Sequence, residues 1–195
     1  MITFIYSTVN SGKSANLLMR AHSCENSDIP YKMLVPEIAS GRDGDSQIAS
    51  RTGFKAKASA FSEQDNLYLM SSPAPQIIFI DEAQFLTKAQ VFELCALSSE
   101  GVNVFAYGLR TDFQGEPFEG SQYLLAWADN IEEISSLTYS RTDDSSPVKA
   151  TFNIKVDEHG QRIRKGASKD VGFHYLPVSL KDFFEGADKV EDLSS

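Results

Sequence analysis

The residues with the plainest chemical purpose are Ser7-Thr8-Val9-Asn10-Ser11-Gly12-Lys13-Ser14. They match GxxxxGK[ST] at every fixed position except the first, where Ser replaces Gly. Such a loop curls successive backbone N–H groups around a phosphate at the start of a helix. Gly12 permits close approach, Lys13 reaches the β- and γ-phosphates of a nucleoside triphosphate such as ATP, and the Ser14 hydroxyl can ligate Mg2+. Gly-Lys-Ser also occurs by chance in polar loops. Here it falls between an apolar run rich in β-formers, Ile2 to Tyr6, and a segment with Leu17, Ala21 and Cys24 spaced i, i+4, i+7. Strand, loop and helix in that order are the context the chemistry needs.

A second pair of functional groups ends the apolar run Ile77 to Ile80: Asp81 and Glu82. Two carboxylates at the C-terminal end of a buried strand are costly unless used. In an open α/β sheet that end is where ligands bind. Asp81 fits the role of holding Mg2+ directly or through water, and Glu82 that of a base.

Positioning these groups calls for alternating strands and helices. Lys32 to Val35 reads as a strand ended by Pro36, and the Gly-, Asp- and Ser-rich stretch Ser40 to Ser50 as a surface loop. Pro73-Ala74-Pro75 marks a break, Lys88 to Ser99 is a helix ended by Gly101, and Val102 to Tyr107 is the next buried strand. The alternation implies an α/β fold of the P-loop, RecA-like kind: a mainly parallel sheet with helices on both faces. Beyond Ser135 the pattern changes. Thr138 to Ser146 reads as polar turn. Ala150, Phe152, Ile154 and Val156 share one face of a strand, and Thr151, Asn153 and Lys155 the other. Glu158-His159-Gly160 turns the chain, and Gln161 to Arg164 returns as its partner. The expected domains are 1–134, a small domain over 135–185, and an acidic tail over 186–195.

Composition removes whole classes of function. Lys plus Arg number 18 against 27 Asp plus Glu, a net charge of −9, which opposes a nucleic-acid footprint. No apolar segment approaches the length of about 18 residues that spans a membrane, and Met1 to Ser7 is no secretory signal. Cys24 and Cys95 form no CxxC and read as reduced thiols of a cytoplasmic protein, in host cytoplasm if phage-encoded. His22, His159 and His174 are scattered, so a His/Cys metal cluster has little raw material.

Two further segments narrow the class. Asp81-Glu82-Ala83-Gln84-Phe85, followed by Tyr107-Gly108-Leu109-Arg110-Thr111-Asp112-Phe113-Gln114-Gly115-Glu116-Pro117-Phe118, resembles the type II thymidine kinases, in their bacterial and phage branch. Gly120 to Asp129 is similar to that branch as well, and the branch also begins its phosphate loop with a small residue. The resemblance covers roughly residues 1 to 185. It implies transfer of the ATP γ-phosphate to the 5′-hydroxyl of thymidine, and leaves open whether deoxyuridine is also an acceptor. It implies that Glu82 is the catalytic base and that Asp81, Ala83 and Gln84 belong to the same nucleotide-contacting motif. Phe85, Leu109, Phe113 and Phe118 match positions lining the thymidine pocket; by composition alone they read as core. Arg51 matches an arginine near the phosphates. Arg42 matches another, with Ser40 where the family has Asp. Val171, Gly172 and Tyr175 match the lasso that closes over the base. By the same analogy the protein is a homo-oligomer, a tetramer, that acts on thymidine and ATP; by its charge and its lack of a long apolar segment it is expected to bind neither nucleic acid nor membrane.

The family's structural zinc is the departure. The two ligand regions read Leu137 to Asp144 and Pro177 to Phe184, with Ser179 and Asp182 at ligand positions and no thiolate in either. The expectation is therefore no structural zinc, with Tyr139, Phe152, Ile154, Val156, Phe183 and Phe184 supplying an apolar cluster instead. Two other readings stay open at this level: a nucleic-acid-stimulated P-loop ATPase, and a catalytically decayed nucleotide-binding subunit.

Overall fold

The structure, a computed structural model, describes residues 1–40, 47–51, 53–140, 146–166 and 173–186. In chain order the elements are β1 (Ile2–Tyr6), α1 (Lys13–Asn26), β2 (Tyr31–Pro36), β3 (Gln47–Ala49), β4 (Lys55–Lys57), β5 (Ser59–Phe61), α2 (Leu67–Met70), β6 (Ile77–Ile80), a 3-10 turn (Ala83–Phe85), α3 (Lys88–Ser99), β7 (Asn103–Gly108), α4 (Glu119–Trp127) and β8 (Asn130–Glu133). There follow β9 (Leu137–Tyr139), β10 (Pro147–Lys149), β11 (Phe152–Val156), β12 (Arg162–Ile163), β13 (His174–Val178) and α5 (Leu180–Glu185). Contacts group the chain into two units. One comprises Met1–Tyr6, Gly12–Leu109 and Phe118–Ile134; the other comprises Ser7–Ser11, Arg110–Pro117 and the chain from Ser135 onward.

The first unit is built on a six-stranded sheet in the order β5-β2-β6-β7-β1-β8, every pairing parallel. Its strands alternate apolar residues to both sides, so each face must be covered. Ile2 and Phe4 of β1, Leu34 of β2, Ile78 and Ile80 of β6, and Val104 and Ala106 of β7 pack with Val91, Leu94 and Leu97 of α3 and Leu124 of α4. The intervening residues Ile5, Met33, Val35, Phe79 and Tyr107 pack with Leu17, Leu18, Ala21 and Cys24 of α1. The mainly parallel sheet with helices on both faces is thus present, and the sequence periodicity marks both of its sides. Helix α3 begins with a capping box, Thr87 and Gln90 each accepting the other's backbone N–H.

Within the stretch read as surface loop, Ile48 is buried beside α1 and draws Gln47–Ala49 into a hairpin with Lys55–Lys57. That strand lacks the length for its periodicity to stand out. Strands β5 and β8, which complete the sheet edges, are short for the same reason.

The second unit carries β9 paired with β10, and a three-stranded antiparallel sheet in the order β12-β11-β13. The hairpin read from Ala150 to Arg164 is there, its turn held by the Asp157 carboxylate accepting the N–H groups of His159 and Gln161. Thr138 to Ser146 is not all turn: Leu137–Tyr139 is a strand whose backbone bonds to β10 outweigh its polar composition. The apolar face of β11 meets Leu176, Val178 and Phe183. Phe152 stacks on Phe183 at 4.3 Å between ring centroids, and Phe184 stands edge-on to both. Tyr139, expected in this cluster, is 67% exposed; Leu176 and Val178 of the neighbouring strand take the space.

Phe183→Ala should cost about 3–5 kcal/mol, the usual range for deleting a buried Phe. Hydrogen exchange should show the loss as faster exchange at Ile154 and Val178, with the amides of β6 and β7 little changed.

Candidate active site

Lys13 opens α1 and is almost wholly buried. Asn10 and Gly12 before it both have left-handed backbones, φ 62° and 85°, a conformation that turns successive N–H groups to one side. Burial pushes the Lys13 ammonium below its ordinary range, while the charges of Glu82 and Asp81 pull it back up. One turn of chemistry further on, the Ser14 hydroxyl donates to Asp81 Oδ2 at 2.8 Å. Lys13 and Ser14 are therefore brought to the acidic end of β6.

Asp81 is buried, and burial is the first cause of a carboxyl raised to about 6; the neighbouring Glu82 charge adds to it. The hydrogen bonds from Ser14 and from the Glu82 N–H, and the Lys13 charge, act the other way. Ser14 Oγ and Asp81 Oδ2 are hard oxygen donors at one point beside a lysine, a donor set suited to Mg2+.

Glu82 has a left-handed backbone, φ 51°. For a non-glycine residue this conformation is uncommon and concentrates at functional sites. It turns the chain out of β6 into the 3-10 turn, and Gln84 Nε2 then donates to Glu82 Oε2. The Gln84 carbonyl oxygen accepts the Leu109 N–H at 3.1 Å, so one buried amide holds both Glu82 and the end of β7. Two glycines leave the room for this turn. A Cβ on Gly108 would stand 2.9 Å from Gln84 Oε1, and one on Gly120 only 2.6 Å from the Ala83 carbonyl. Ala83 is buried; Phe85 stands edge-on to Phe118 at 5.7 Å. The Ser121 hydroxyl donates to the Leu109 carbonyl.

In the second unit Phe113 is buried, and its ring meets Tyr175 at 6.4 Å. The segment around it is tied by Asp112, whose Oδ1 accepts the N–H groups of Gln114 and Glu116. Thr8 shares a hydrogen bond with Ser136 at 2.7 Å, and the Val9 N–H donates to Asn153 Oδ1 at 2.9 Å. Ser7 is buried, and Ser11 Oγ donates to the Thr8 carbonyl. Arg51 is exposed at the tip of the β3–β4 hairpin, and no contact among the described residues joins it to Lys13, Asp81 or Glu82. Val171, Gly172 and Arg42 lie outside the described residues.

Ser179 and Asp182 bond to each other. Ser179 Oγ donates to Asp182 Oδ2 at 2.7 Å and accepts the Asp182 N–H, capping α5. A cavity of about 510 Å3 beside them is lined by Ser140, Ser146, Thr151, Lys149 and Lys181, with no thiol or imidazole. Among the described residues no group of three His, Cys, Asp or Glu converges on a metal position, and no helix is long and apolar enough to cross a membrane. Cys24 and Cys95 are free thiols.

Sequence reasoning passed over Asn153 and Lys155. On a strand with clean alternation their face reads as the solvent side, yet Asn153 is 4% exposed and Lys155 fully buried. The Lys155 ammonium stands 4.1 Å from the Phe173 ring centroid and 5.0 Å from that of Phe113. Two polar residues flanked by apolar ones on a strand that also pairs on both sides would have been the signal.

The model of the thymidine kinase family matches residues 1–172 of the chain. A thymidine kinase of Coxiella burnetii is 39% identical over 176 residues, 87% of this chain and 86% of that protein. One of Xanthomonas axonopodis pv. citri is 37% identical over 189 residues, 92% and 87% respectively. One of Rhodopirellula baltica is 39% identical over 175 residues, 87% and 80%.

The state of Asp81 has a measurable consequence. Its carboxyl titrates higher in the folded chain, about 6, than its ordinary 3.8, so the folded form holds the extra proton between those values. In metal-free solution the contribution of Asp81 to stability should fall as pH rises through that window and level off above it. Asp81→Asn should remove this contribution and leave the metal-free protein more stable than the parent at pH 7.5, by on the order of 1–2 kcal/mol. Urea unfolding of both proteins at pH 4.5, 6 and 7.5 in EDTA checks the sign: a parent that gains stability over the Asn variant between pH 4.5 and 7.5 would contradict it.

Proposed function

This chain belongs to the thymidine kinase family, and we propose that Lys13, Ser14, Asp81, Glu82 and Gln84 carry out its reaction, transfer of the ATP γ-phosphate to the 5′-hydroxyl of thymidine. The observation that carries this assignment is the 2.8 Å contact of Ser14 with Asp81, next to a buried lysine that feels both carboxylates. Phosphoryl transfer asks little covalent help of a protein; it asks for alignment and for charge set against the phosphate oxygens. Residues Ser7 to Ser14 hold the triphosphate, and the Lys13 ammonium faces its β- and γ-oxygens. Ser14 and Asp81 are the residues that would hold Mg2+, which supplies neutralising charge on those oxygens when bound.

Glu82 receives the proton of the 5′-hydroxyl as that oxygen bonds to the γ-phosphorus and the bond to the β-γ bridging oxygen breaks, leaving ADP. Gln84 fixes one Glu82 oxygen, so the base is aimed before substrate arrives. Phe85, Leu109 and Phe118 in the first unit, and Phe113, Tyr175, Val171 and Gly172 in the second, are assigned to the nucleoside. Arg51 is assigned to the transferring group. Its exposed hairpin position requires that the hairpin come to the phosphates with substrate bound. The domains of this reading are 1–134, 135–185 and a tail from 186. The protein is read as a cytoplasmic homo-oligomer, tetrameric by analogy, in keeping with its free thiols.

Glu82→Gln should leave ATP binding nearly intact while lowering kcat by about 10²–10⁴-fold, the scale of a lost general base. A nucleoside panel followed by ADP release, with ATP affinity measured by calorimetry, tests both halves. Near-normal turnover would remove Glu82 from the role.

No structural zinc is part of the same reading, because Ser179 and Asp182 spend their polar atoms on capping α5. Elemental analysis should find zinc well below one per chain, and EDTA should leave the melting of the second unit unchanged. Stoichiometric zinc would mean a ligand set of another kind.

A further inference from the structure

Strand β11 presents two buried faces. Phe152, Ile154 and Val156 meet the apolar cluster, whereas Asn153 and Lys155 face polar and aromatic neighbours within the same unit. A buried carboxamide is costly unless bonded. Asn153 places its oxygen 2.9 Å from the Val9 N–H, 144 residues earlier in the chain. One residue before, Thr8 is bonded to Ser136 at 2.7 Å, so the first half of the phosphate loop is held at two consecutive residues. The Val9 N–H, being spent on Asn153, is not a donor to phosphate. The donors begin at Asn10, where the backbone turns left-handed. Two residues along the same face of β11, Lys155 sits over the ring of Phe113, and Tyr175 is its cross-strand partner.

We propose that Asn153 is a positioning residue for the kinase reaction: by holding the Val9 N–H it fixes where the phosphate-binding N–H groups of Asn10 to Ser14 begin. The inference rests on the reading of Ser7 to Ser14 as the ATP phosphate loop. Asn153 acts on ATP through the backbone of Val9 and touches no reacting atom. Loss of its oxygen frees the loop to adopt other turns, and the cost falls on the nucleotide.

Asn153→Val and Ser136→Ala form the test. Asn153→Val should raise KM for ATP and weaken ADP binding in calorimetry by roughly tenfold, the worth of one buried hydrogen bond. Its KM for thymidine should move little. Ser136→Ala, which loosens the adjacent residue, should act in the same direction as Asn153→Val and more weakly. Unchanged ATP KM in Asn153→Val would overturn the proposal, as would an effect confined to thymidine KM. Lys13→Ala separates the two levels. If it leaves ADP binding intact, the loop reading itself fails; if it abolishes binding while Asn153→Val does not alter it, only the role of Asn153 fails.

Discussion

A carboxylate placed where burial opposes its charge governs the arrangement of the first unit. Asp81 ends a strand that is covered on both faces, and water cannot solvate it there. It persists because Ser14 and the Glu82 N–H donate to it and because Lys13 stands near enough to be felt. Each of those partners is held elsewhere: Lys13 and Ser14 by the start of α1, Glu82 by a left-handed turn that Gln84 braces. The turn in turn depends on Gly108 and Gly120, since a methyl at either position would strike its backbone or its amide. The site is thus a balance in which a costly group is tolerated because the fold surrounds it with donors and one cation.

The second unit reaches its stability by different means. It has few long elements, and its core is one face of a three-stranded sheet closed by the stacked pair Phe152 and Phe183. Ser179 and Asp182 make a helix cap, a local bond that ties one turn of chain. Aromatic stacking then supplies the longer-range fastening. The Arg162 guanidinium over the Phe183 ring adds a cation to the same stack.

The parallel sheet, its two-sided burial and the strand–loop–helix around Lys13 were legible in the sequence because long apolar runs carry both period and boundary signals. The hairpin at β11 and β12 was legible from alternation and its turn. Short strands such as Gln47–Ala49 and Leu137–Tyr139 were not, because three residues hold no period; pairing partners decide them. The Lys13, Ser14 and Asp81 grouping followed from order along the chain. The role of Gln84 as a brace needed the geometry of β7. Asn153 and Lys155 were assigned to a face but not to its burial, because alternation tells which residues share a side and says nothing of what covers it.

The register of β1 has a consequence for how the protein comes into being. This strand is made well before both of its neighbours, β7 and β8, which begin some hundred residues later. While the chain emerges from the ribosome, Ile2 to Tyr6 has no partner, and its apolar side chains stay exposed until Asn103 and Asn130 follow. The segment Thr8–Val9 behind it waits longer still, for Ser136 and then Asn153 to be translated. An early-made segment is therefore finished late.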